Sequence, residues 1–399
     1  MGYGFSTTLR CLHCDAEYSV EDIGYFCPGC KLDGALDVEY DYTAAAPAFV
    51  RAMSEKARAI DMWRYRALLP VGLEYAPTLH TGGTPLYQLP VHGDGLVFVK
   101  DDSRNPSGSL KDRASALAVA LARQQNMKTI AAASTGNAAA ALACMTAGSN
   151  LRCVIFAPTN AAREKLVQIM AYGAEVVQIN GGYDEAFSAC LDACDKYGWY
   201  NRSTGINSYM TEGKKTVAFE ISEQMGWAVP DRIFVPVGNG CIIGSVYKGF
   251  DELRRVGLTD RMPRIMGAQA DGSDYMFRAW EEAAGPHYAE RKPARTSASS
   301  INVALPRDRI KALRAVESTD GQFIRVSDAE IYQSQIKLAR VSGVFAEPGA
   351  AAAYAAAEKF RVAERDETTV ILITGSGLKD VNGLLNSGVL DQSSFSEAA

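Results

Sequence analysis

The fold is decided by residues 96–137, which read LVFVKDDSRNPSGSLKDRASALAVALARQQNMKTIAAASTGN. The stretch opens with a short apolar strand at 96–100, crosses a loop rich in serine and glycine, and continues as an alanine-rich helix over 112–124. A second apolar strand follows at 129–133, and small polar residues at 134–137 then open another helix. Strands that alternate with helices in this way indicate β-α-β units and a parallel sheet.

The same alternation continues through the rest of the chain. We predict further helices at 163–172, 183–197 and 242–255, and further strands at 152–157, 175–179, 232–237, 264–269 and 369–374. This order indicates an α/β fold with mainly parallel sheets, and no repeat of fixed period points to a solenoid. With 399 residues the chain is long enough for two or three units of about 150 residues each.

The charge balance of the chain argues against polyanionic partners. Lysine and arginine total 41 against 46 acidic residues, which gives a net charge of −5. A nucleic acid or an anionic membrane calls for a basic face, so neither is expected as a partner. The amino terminus lacks the apolar core of a signal peptide, and no stretch reaches the roughly 18 apolar residues of a membrane helix. We therefore expect a cytoplasmic protein.

Four of the nine cysteines form two CxxC pairs, Cys11 with Cys14 and Cys27 with Cys30. Each pair can place two thiolates on one tight turn around a tetrahedral Zn²⁺, and such a closed site is structural and not catalytic. Disulfides are the alternative, but a chain without a secretion signal favours metal. A zinc ribbon can also bind nucleic acid, although no basic cluster surrounds this one. The other five cysteines are interpreted as small buried thiols.

Three loops follow predicted strands, at the edge where open α/β sheets bind ligands. The loop NPSGSLKDR at 105–113 presents Lys111 as a helix begins, although a lysine there is usually a solvated surface residue. The run STGNA at 134–138 opens a helix, where free N–H groups favour an anion or form a plain N-cap. The run VGNGCIIG at 237–244 can bring bare backbone close to a phosphate or can serve turn geometry alone. We expect the three loops to meet in one pocket.

Seven motifs in order resemble those of the threonine synthase family. They are TGGTP at 81–85, NPSGSLKDR at 105–113, STGN at 134–137, EGKKT at 212–216, GNG at 238–240, EP at 347–348 and TGSGLKD at 374–380. The resemblance covers most of the chain, and the amino-terminal CxxC pairs also resemble a knuckle of some family members. It implies pyridoxal phosphate (PLP) as cofactor and PLP fold type II, with two open twisted α/β domains behind a zinc-ribbon-like knuckle.

The same resemblance implies a role for individual residues. Lys111 would carry the cofactor as a Schiff base and serve as catalytic base, and Thr374 would face the pyridine nitrogen. A hydroxyl there, unlike a carboxylate, does not keep that nitrogen protonated, which favours elimination or replacement. Glu347 could be a cofactor-side group or the cap of the helix that follows it. The cofactor's phenolic oxygen and phosphate would contact Asn137 and the turn of Gly238, Asn239, Gly240 and Cys241, and the substrate would contact Ser134, Thr135, Gly136 and Asn137.

The sequence departs from the family at the substrate side. Where the family commonly reads NPxR before EGxKT, with an arginine associated with the substrate's phosphate, this chain has Met210. A methionine cannot make the charge-assisted contacts of an arginine, and Arg202 is a candidate replacement outside the family's position. Leu110 stands where an aromatic is usual, and the turn carries Cys241 and two isoleucines in place of the family's second asparagine.

These departures leave three functional hypotheses. The first is formation of threonine and phosphate from O-phosphohomoserine by a PLP-dependent lyase. The second is a replacement reaction on O-phosphoserine or another activated amino acid, as in the cysteate synthases that resemble this family. The third is a zinc-ribbon interaction module on a degenerate PLP scaffold, against which the intact Lys111 and glycine-rich turn argue.

The predicted organisation has three units. Residues 1–42 form the knuckle, 43–110 with 205–399 form the large cofactor domain, and 111–204 form a smaller α/β domain. Within these, 43–75 is predicted to be a linker followed by a helical stretch, and 296–300 a loop. We expect the active site between the two α/β domains, and the resemblance implies a homodimer.

Overall fold

The computed structural model describes residues 4–20, 24–54, 61–90, 93–161, 163–282 and 289–390. Residues 21–23 of the predicted knuckle and residues 55–60 of the predicted helical stretch lie outside these ranges.

The first part of the chain builds a small antiparallel sheet and one edge of the main sheet. Its elements are β1 Ser6–Cys11, β2 Glu17–Ser19, β3 Leu36–Tyr40, α1 Tyr42–Ser54, β4 Leu86–Gln88, β5 Leu96–Asp101 and α2 Lys111–Gln124. β1 pairs with both β2 and β3 in antiparallel register. The linker predicted from residue 43 is wrong, because Ala45, Phe49 and Ala52 form a buried stripe that makes this stretch helix α1.

The next part of the chain forms a four-stranded parallel sheet with its helices. The elements are β6 Thr129–Ala133, α3 Asn137–Thr146, β7 Arg152–Pro158, α4 Arg163–Ala171, β8 Glu175–Ile179, α5 Tyr183–Tyr197 and β9 Tyr200–Asn201. The strand order is β8-β7-β6-β9. The predicted strands and helices of this region agree with the structure to within one residue, because each apolar run is bounded by polar or glycine-containing turns.

The remaining chain completes a six-stranded sheet of order β12-β11-β10-β13-β5-β4. Its elements are α6 Tyr209–Gln224, β10 Arg232–Pro236, α7 Cys241–Arg255, β11 Arg264–Ala270, α8 Tyr275–Glu281, α9 Arg309–Glu317, β12 Gln322–Val326, α10 Asp328–Ser342, α11 Pro348–Lys359, β13 Thr368–Ile373 and α12 Val381–Asn386. Only β4 is antiparallel to its neighbour, so the predicted α/β class with mainly parallel sheets is confirmed. The loop predicted at 296–300 ends in a 3₁₀ turn, Ser299–Ile301. None of the helices in the described ranges has the length and apolar character to cross a membrane.

Helices α2 and α7 both pack closely against α6 in the core. A Cβ added to Gly213 of α6 would lie 2.3 Å from the carbonyl oxygen of Arg113 in α2. A Cβ added to Gly249 of α7 would lie 2.5 Å from the carbonyl oxygen of Lys215 in α6. Glycine therefore sets the spacing of the three helices, since any side chain at these two crossings would push them apart. The division of the chain into domains at residues 110 and 204 stays a prediction.

Candidate active site

A cleft of about 2060 Å³ opens at the carboxyl ends of strands from both parallel sheets. The loops that line it follow β5, β6, β10 and β13, which matches the general place of ligand sites in open α/β sheets. The predicted site residues that line this cleft are Lys111, Ser134, Thr135, Gly136, Asn137, Gly238, Asn239, Gly240, Cys241 and Thr374. The structure thus brings these residues together, and their individual roles stay predictions.

Backbone hydrogen bonds hold the loop that precedes Lys111. The amide of Leu110 donates to the carbonyl of Thr374 at 3.0 Å, and the amide of Ser376 donates to Gly108 at 3.0 Å. The carboxylate of Asp112 accepts from the amide of Ser107 at 2.8 Å and closes the loop in front of α2. These bonds fix the first turn of α2, so the amine of Lys111 projects from a constant position.

The pKa of Lys111 is lowered to about 8. Burial is the largest cause, because it disfavours the charged form, and the nearby ammonium of Lys214 lowers the pKa further. The carboxylate of Glu347 acts in the opposite direction. A lysine with such a pKa has a much larger neutral fraction near neutral pH than an ordinary lysine, and the neutral amine is the form that attacks an aldehyde.

Glu347 contacts Asn137 across the cleft. The side-chain amide nitrogen of Asn137 donates to both carboxylate oxygens of Glu347, at 3.0 and 2.8 Å. Glu347 precedes α11, but its side chain accepts no capping hydrogen bond from that helix. A Cβ at Gly375 would lie 2.5 Å from the carboxylate carbon, so glycine there makes room for it. Of the two predicted readings of Glu347, the carboxylate therefore belongs to the cleft and not to a cap.

The turn of Gly238, Asn239 and Gly240 is braced from one side by the segment before α9. The carbonyl of Asn239 accepts from the amide of Asp308 at 2.9 Å, and its side-chain oxygen accepts from the amide of Arg307 at 3.3 Å. Gly240 has φ +93, and a Cβ there would lie 2.7 Å from the carbonyl oxygen of Asp308. Only glycine satisfies both the left-handed backbone and this close approach.

Helix α7 begins at Cys241, immediately after this turn. The ammonium of Lys214 in α6 donates to the sulfur of Cys241 at 2.7 Å, and both side chains are buried. The start of α7 thus combines free amide groups, the positive end of a 15-residue helix and a buried ammonium. This chemistry fits a phosphate, and the amine of Lys111 fits an aldehyde, so the residues present fit a phosphorylated aldehyde cofactor.

Four buried charged side chains form an ion-pair network next to the loop that carries Lys111. Arg113 donates to Asp102 at 2.7 Å and to Glu220 at 2.7 Å, and Lys100 donates to Glu220 at 2.8 Å. Glu220 also accepts from the amide of Gly83 at 2.8 Å, which ties down the TGGTP turn. The TGGTP motif and Arg113, both of which belong to motifs recognised in the sequence, therefore hold the loops of the site in place and do not themselves line the cleft.

Arg202, the predicted replacement for the missing arginine, does not line the cleft. Its side chain is fully buried and donates to Ser115 at 3.1 Å and to Thr204 at 3.3 Å. Met210 is likewise fully buried in the apolar core. Neither residue is placed to contact a ligand, because protein atoms cover both side chains.

Three side chains of the site region were not predicted as functional: Lys214, Arg307 and Asp184. Lys214 lies inside the EGKKT motif, so the sequence marks it as part of the site region. The sequence does not indicate its contact with Cys241. Arg307 and Asp184 lie in no recognised motif, and they meet across the cleft at 3.3 Å although 123 residues separate them.

The four predicted metal ligands also come together. The sulfur atoms of Cys11, Cys14, Cys27 and Cys30 all lie within 4.8 Å of one another. In each pair the carbonyl of the first cysteine accepts from the amide four residues later, that of Asp15 at 3.0 Å and that of Lys31 at 2.7 Å. Four thiolates about 2.3 Å from one Zn²⁺ would lie roughly 3.8 Å apart, so the cluster is compatible with a zinc site.

The chain is similar in sequence to known enzymes over most of its length. The profile of a family described as "Pyridoxal-phosphate dependent enzyme" matches residues 77–375. A threonine synthase of Methanosarcina acetivorans is 38% identical over 93% of this chain and 92% of the relative. A threonine synthase of Methanocaldococcus jannaschii is 36% identical over 95% of this chain and 94% of the relative.

The fold is shared with solved structures. A threonine deaminase isoform from Solanum lycopersicum superposes with a TM-score of 0.62 at 17% identity, over 92% of this chain and 95% of that one. An aspartate racemase dependent on pyridoxal 5'-phosphate superposes with a TM-score of 0.65 at 20% identity, over 75% and 92%. At this level of identity the likeness concerns the fold, and PLP fold type II is confirmed.

Proposed function

The chain belongs to the pyridoxal-phosphate dependent enzyme family, and from this membership we propose that it converts O-phosphohomoserine into threonine and phosphate. The observation that carries the proposal is the match to threonine synthases over more than nine tenths of both chains. The geometry of the cleft supports the proposal. The amine of Lys111 and the glycine-rich turn of Gly238, Asn239 and Gly240, which suits a phosphate, line the same cleft.

We propose that Lys111 attaches the cofactor covalently, that the turn with Cys241 holds its phosphate, and that Asn137 and Thr374 contact its ring. When bound, the cofactor supplies an electron sink for charge that develops on the substrate carbons. The amine of Lys111, once free, would take up a proton from the substrate and return it, and its lowered pKa of about 8 suits this exchange better than that of an ordinary lysine. Ser134, Thr135 and Gly136 would orient the substrate at the start of α3.

The remaining features are proposals of the same kind. The four cysteines would hold one structural Zn²⁺, which metal analysis of the purified protein checks. Residues 111–204 would close over the substrate as a small domain and exclude water. The protein would act in the cytoplasm as a homodimer, and light scattering on the purified protein tests the oligomeric state.

The decisive experiment is a donor screen on the purified, PLP-loaded protein. Release of threonine and phosphate from O-phosphohomoserine is the expected result. Turnover of O-phosphoserine only with sulfite or another nucleophile added would favour the replacement reaction, which Met210 in place of an arginine makes the competing candidate. Failure to bind PLP at all would leave a degenerate scaffold.

A further inference from the structure

Six basic side chains of the described residues line the cleft: Arg104, Lys111, Arg291, Arg307, Arg309 and Lys379. Of the five basic residues other than Lys111, three have partners other than Asp184. Arg104 pairs with Asp101 at 3.0 Å, Lys379 donates to Gln168 at 3.1 Å, and Arg309 pairs with Asp33 beside the cysteine knuckle. The two that remain, Arg291 and Arg307, share one carboxylate, that of Asp184.

Arg307 is anchored to the floor of the site as well as to its rim. Its backbone amide donates to the side chain of Asn239, in the turn proposed to hold the cofactor's phosphate. A Cβ at Gly205 would lie 2.3 Å from the Cβ of Arg307, so the chain at Gly205 leaves room for the arginine stem. The guanidinium carbon lies 3.7 Å from the centre of the buried Phe187 ring, a cation–π contact that helps to hold the side chain in place.

The ion pair between Arg307 and Asp184 is weak enough for a ligand to displace the carboxylate. Asp184 is 59% exposed, and it contacts Arg307 through a single atom pair at 3.3 Å. Asp184 also pairs with Arg291 at 3.1 Å and would keep that partner if Arg307 turned away. Solvent-exposed ion pairs contribute little, whereas a phosphate ester offers an arginine two parallel, charge-assisted hydrogen bonds. A phosphorylated ligand in the cleft would therefore compete well for this guanidinium.

We propose that Arg307 binds the phosphate of the substrate and thereby takes over the task of the arginine that Met210 replaces. The inference rests on the proposed function, because it assigns a residue to the phosphate of O-phosphohomoserine. Arg307 is then the specificity-determining side chain for a phosphorylated donor, held between Phe187 and the turn and released from Asp184 on binding.

The experiment compares Arg307→Gln, Arg307→Lys and the matched control Arg291→Gln in the PLP-loaded enzyme. For Arg307→Gln we expect KM for O-phosphohomoserine to rise about 10- to 100-fold, as for loss of charge-assisted hydrogen bonds, with kcat changed less than about threefold. The Ki of inorganic phosphate should rise in parallel, since the same contact is lost. Arg307→Lys should recover part of both, and Arg291→Gln should change either by less than about twofold.

A second readout separates substrate binding from support of the turn. The dissociation constant of PLP, measured by fluorescence titration of the apoenzyme, should stay within about twofold in Arg307→Gln, because Asn239 is held by the backbone of residue 307. A parallel loss of PLP affinity, or an unchanged KM and Ki, would overturn the proposal. If the wild-type enzyme does not convert O-phosphohomoserine, the proposed function fails. Phosphate binding to the wild type and Arg307→Gln, measured by calorimetry, then decides on Arg307 alone.

Discussion

Lys214 and Cys241 meet at 2.7 Å beneath the glycine-rich turn and join α6 to the first residue of α7. The contact places a buried positive charge directly behind the proposed phosphate cradle. Burial is the main cause of the lowered pKa of Lys111, and the ammonium of Lys214 is the largest of the neighbouring charges that lower it further.

Replacing Lys214 by methionine should weaken cofactor binding. We expect Lys214→Met to raise the dissociation constant of PLP about tenfold, because one charge that favours the phosphate is lost. Fluorescence titration of the apoenzyme measures it, and Lys196→Met on the exposed side of α5 is the control. An unchanged PLP affinity would show that Lys214 serves packing alone.

The rate of cofactor attachment should depend on the protonation of Lys111. The neutral amine is the reactive form, so the rate of PLP binding to the apoenzyme should rise with pH and reach half its maximum near the pKa of about 8. Stopped-flow absorbance measures the rate. In Lys214→Met the midpoint should move to higher pH, since removal of a neighbouring positive charge raises the pKa of Lys111. A midpoint that stays in place would contradict the assigned cause.

Glu220→Gln should destabilise the fold strongly. The change removes the carboxylate charge that pairs with the buried Lys100 and leaves the buried Arg113 with Asp102 alone. Loss of one partner of a buried pair costs about 3–5 kcal/mol. Arg152→Gln is the contrasting variant, because its pair with Glu175 is half-exposed and should contribute less than about 1 kcal/mol. Urea unfolding of both apo variants measures the difference in free energy. Equal effects would mean that the network adds nothing beyond surface pairing.

Removal of metal from the cysteine knuckle should weaken binding of the cofactor. The knuckle contacts the α9 region through Asp33 with Arg309, and through Asp37 with Lys311 at 2.7 Å, and the residues just before α9 brace Asn239. We expect Cys14→Ser, or chelation followed by desalting, to lower both the thermal midpoint and the affinity for PLP. Addition of Zn²⁺ should restore the chelated wild type and not the variant. Full PLP affinity without metal would separate the two sites.

The sequence predicted those parts of the molecule that local patterns specify. Helix α2 and strand β6 were placed within one residue, and Lys111, Asn137 and Gly240 were found from motifs that sit at strand ends. Contacts between segments that are far apart in the chain leave no local pattern in the sequence, so they could not be predicted from it. Asn137 and Glu347 lie 210 residues apart, and whether the carboxylate turned toward the cleft or the helix depended on the room that Gly375 provides. The small antiparallel sheet was missed because its strands are only three to six residues long.

The two glycine crossings at Gly213 and Gly249 have a consequence for motion of the molecule. Lys111 and Cys241 begin two helices that both pack tightly on α6, so the core fixes the distance between the two residues proposed to hold the ends of the cofactor. Asn137 begins α3 and Asp184 lies in the first turn of α5, and neither of these helices takes part in the two glycine crossings. We therefore expect the spacing between Lys111 and Cys241 to stay constant during turnover, because a change in it would require these helix crossings to separate.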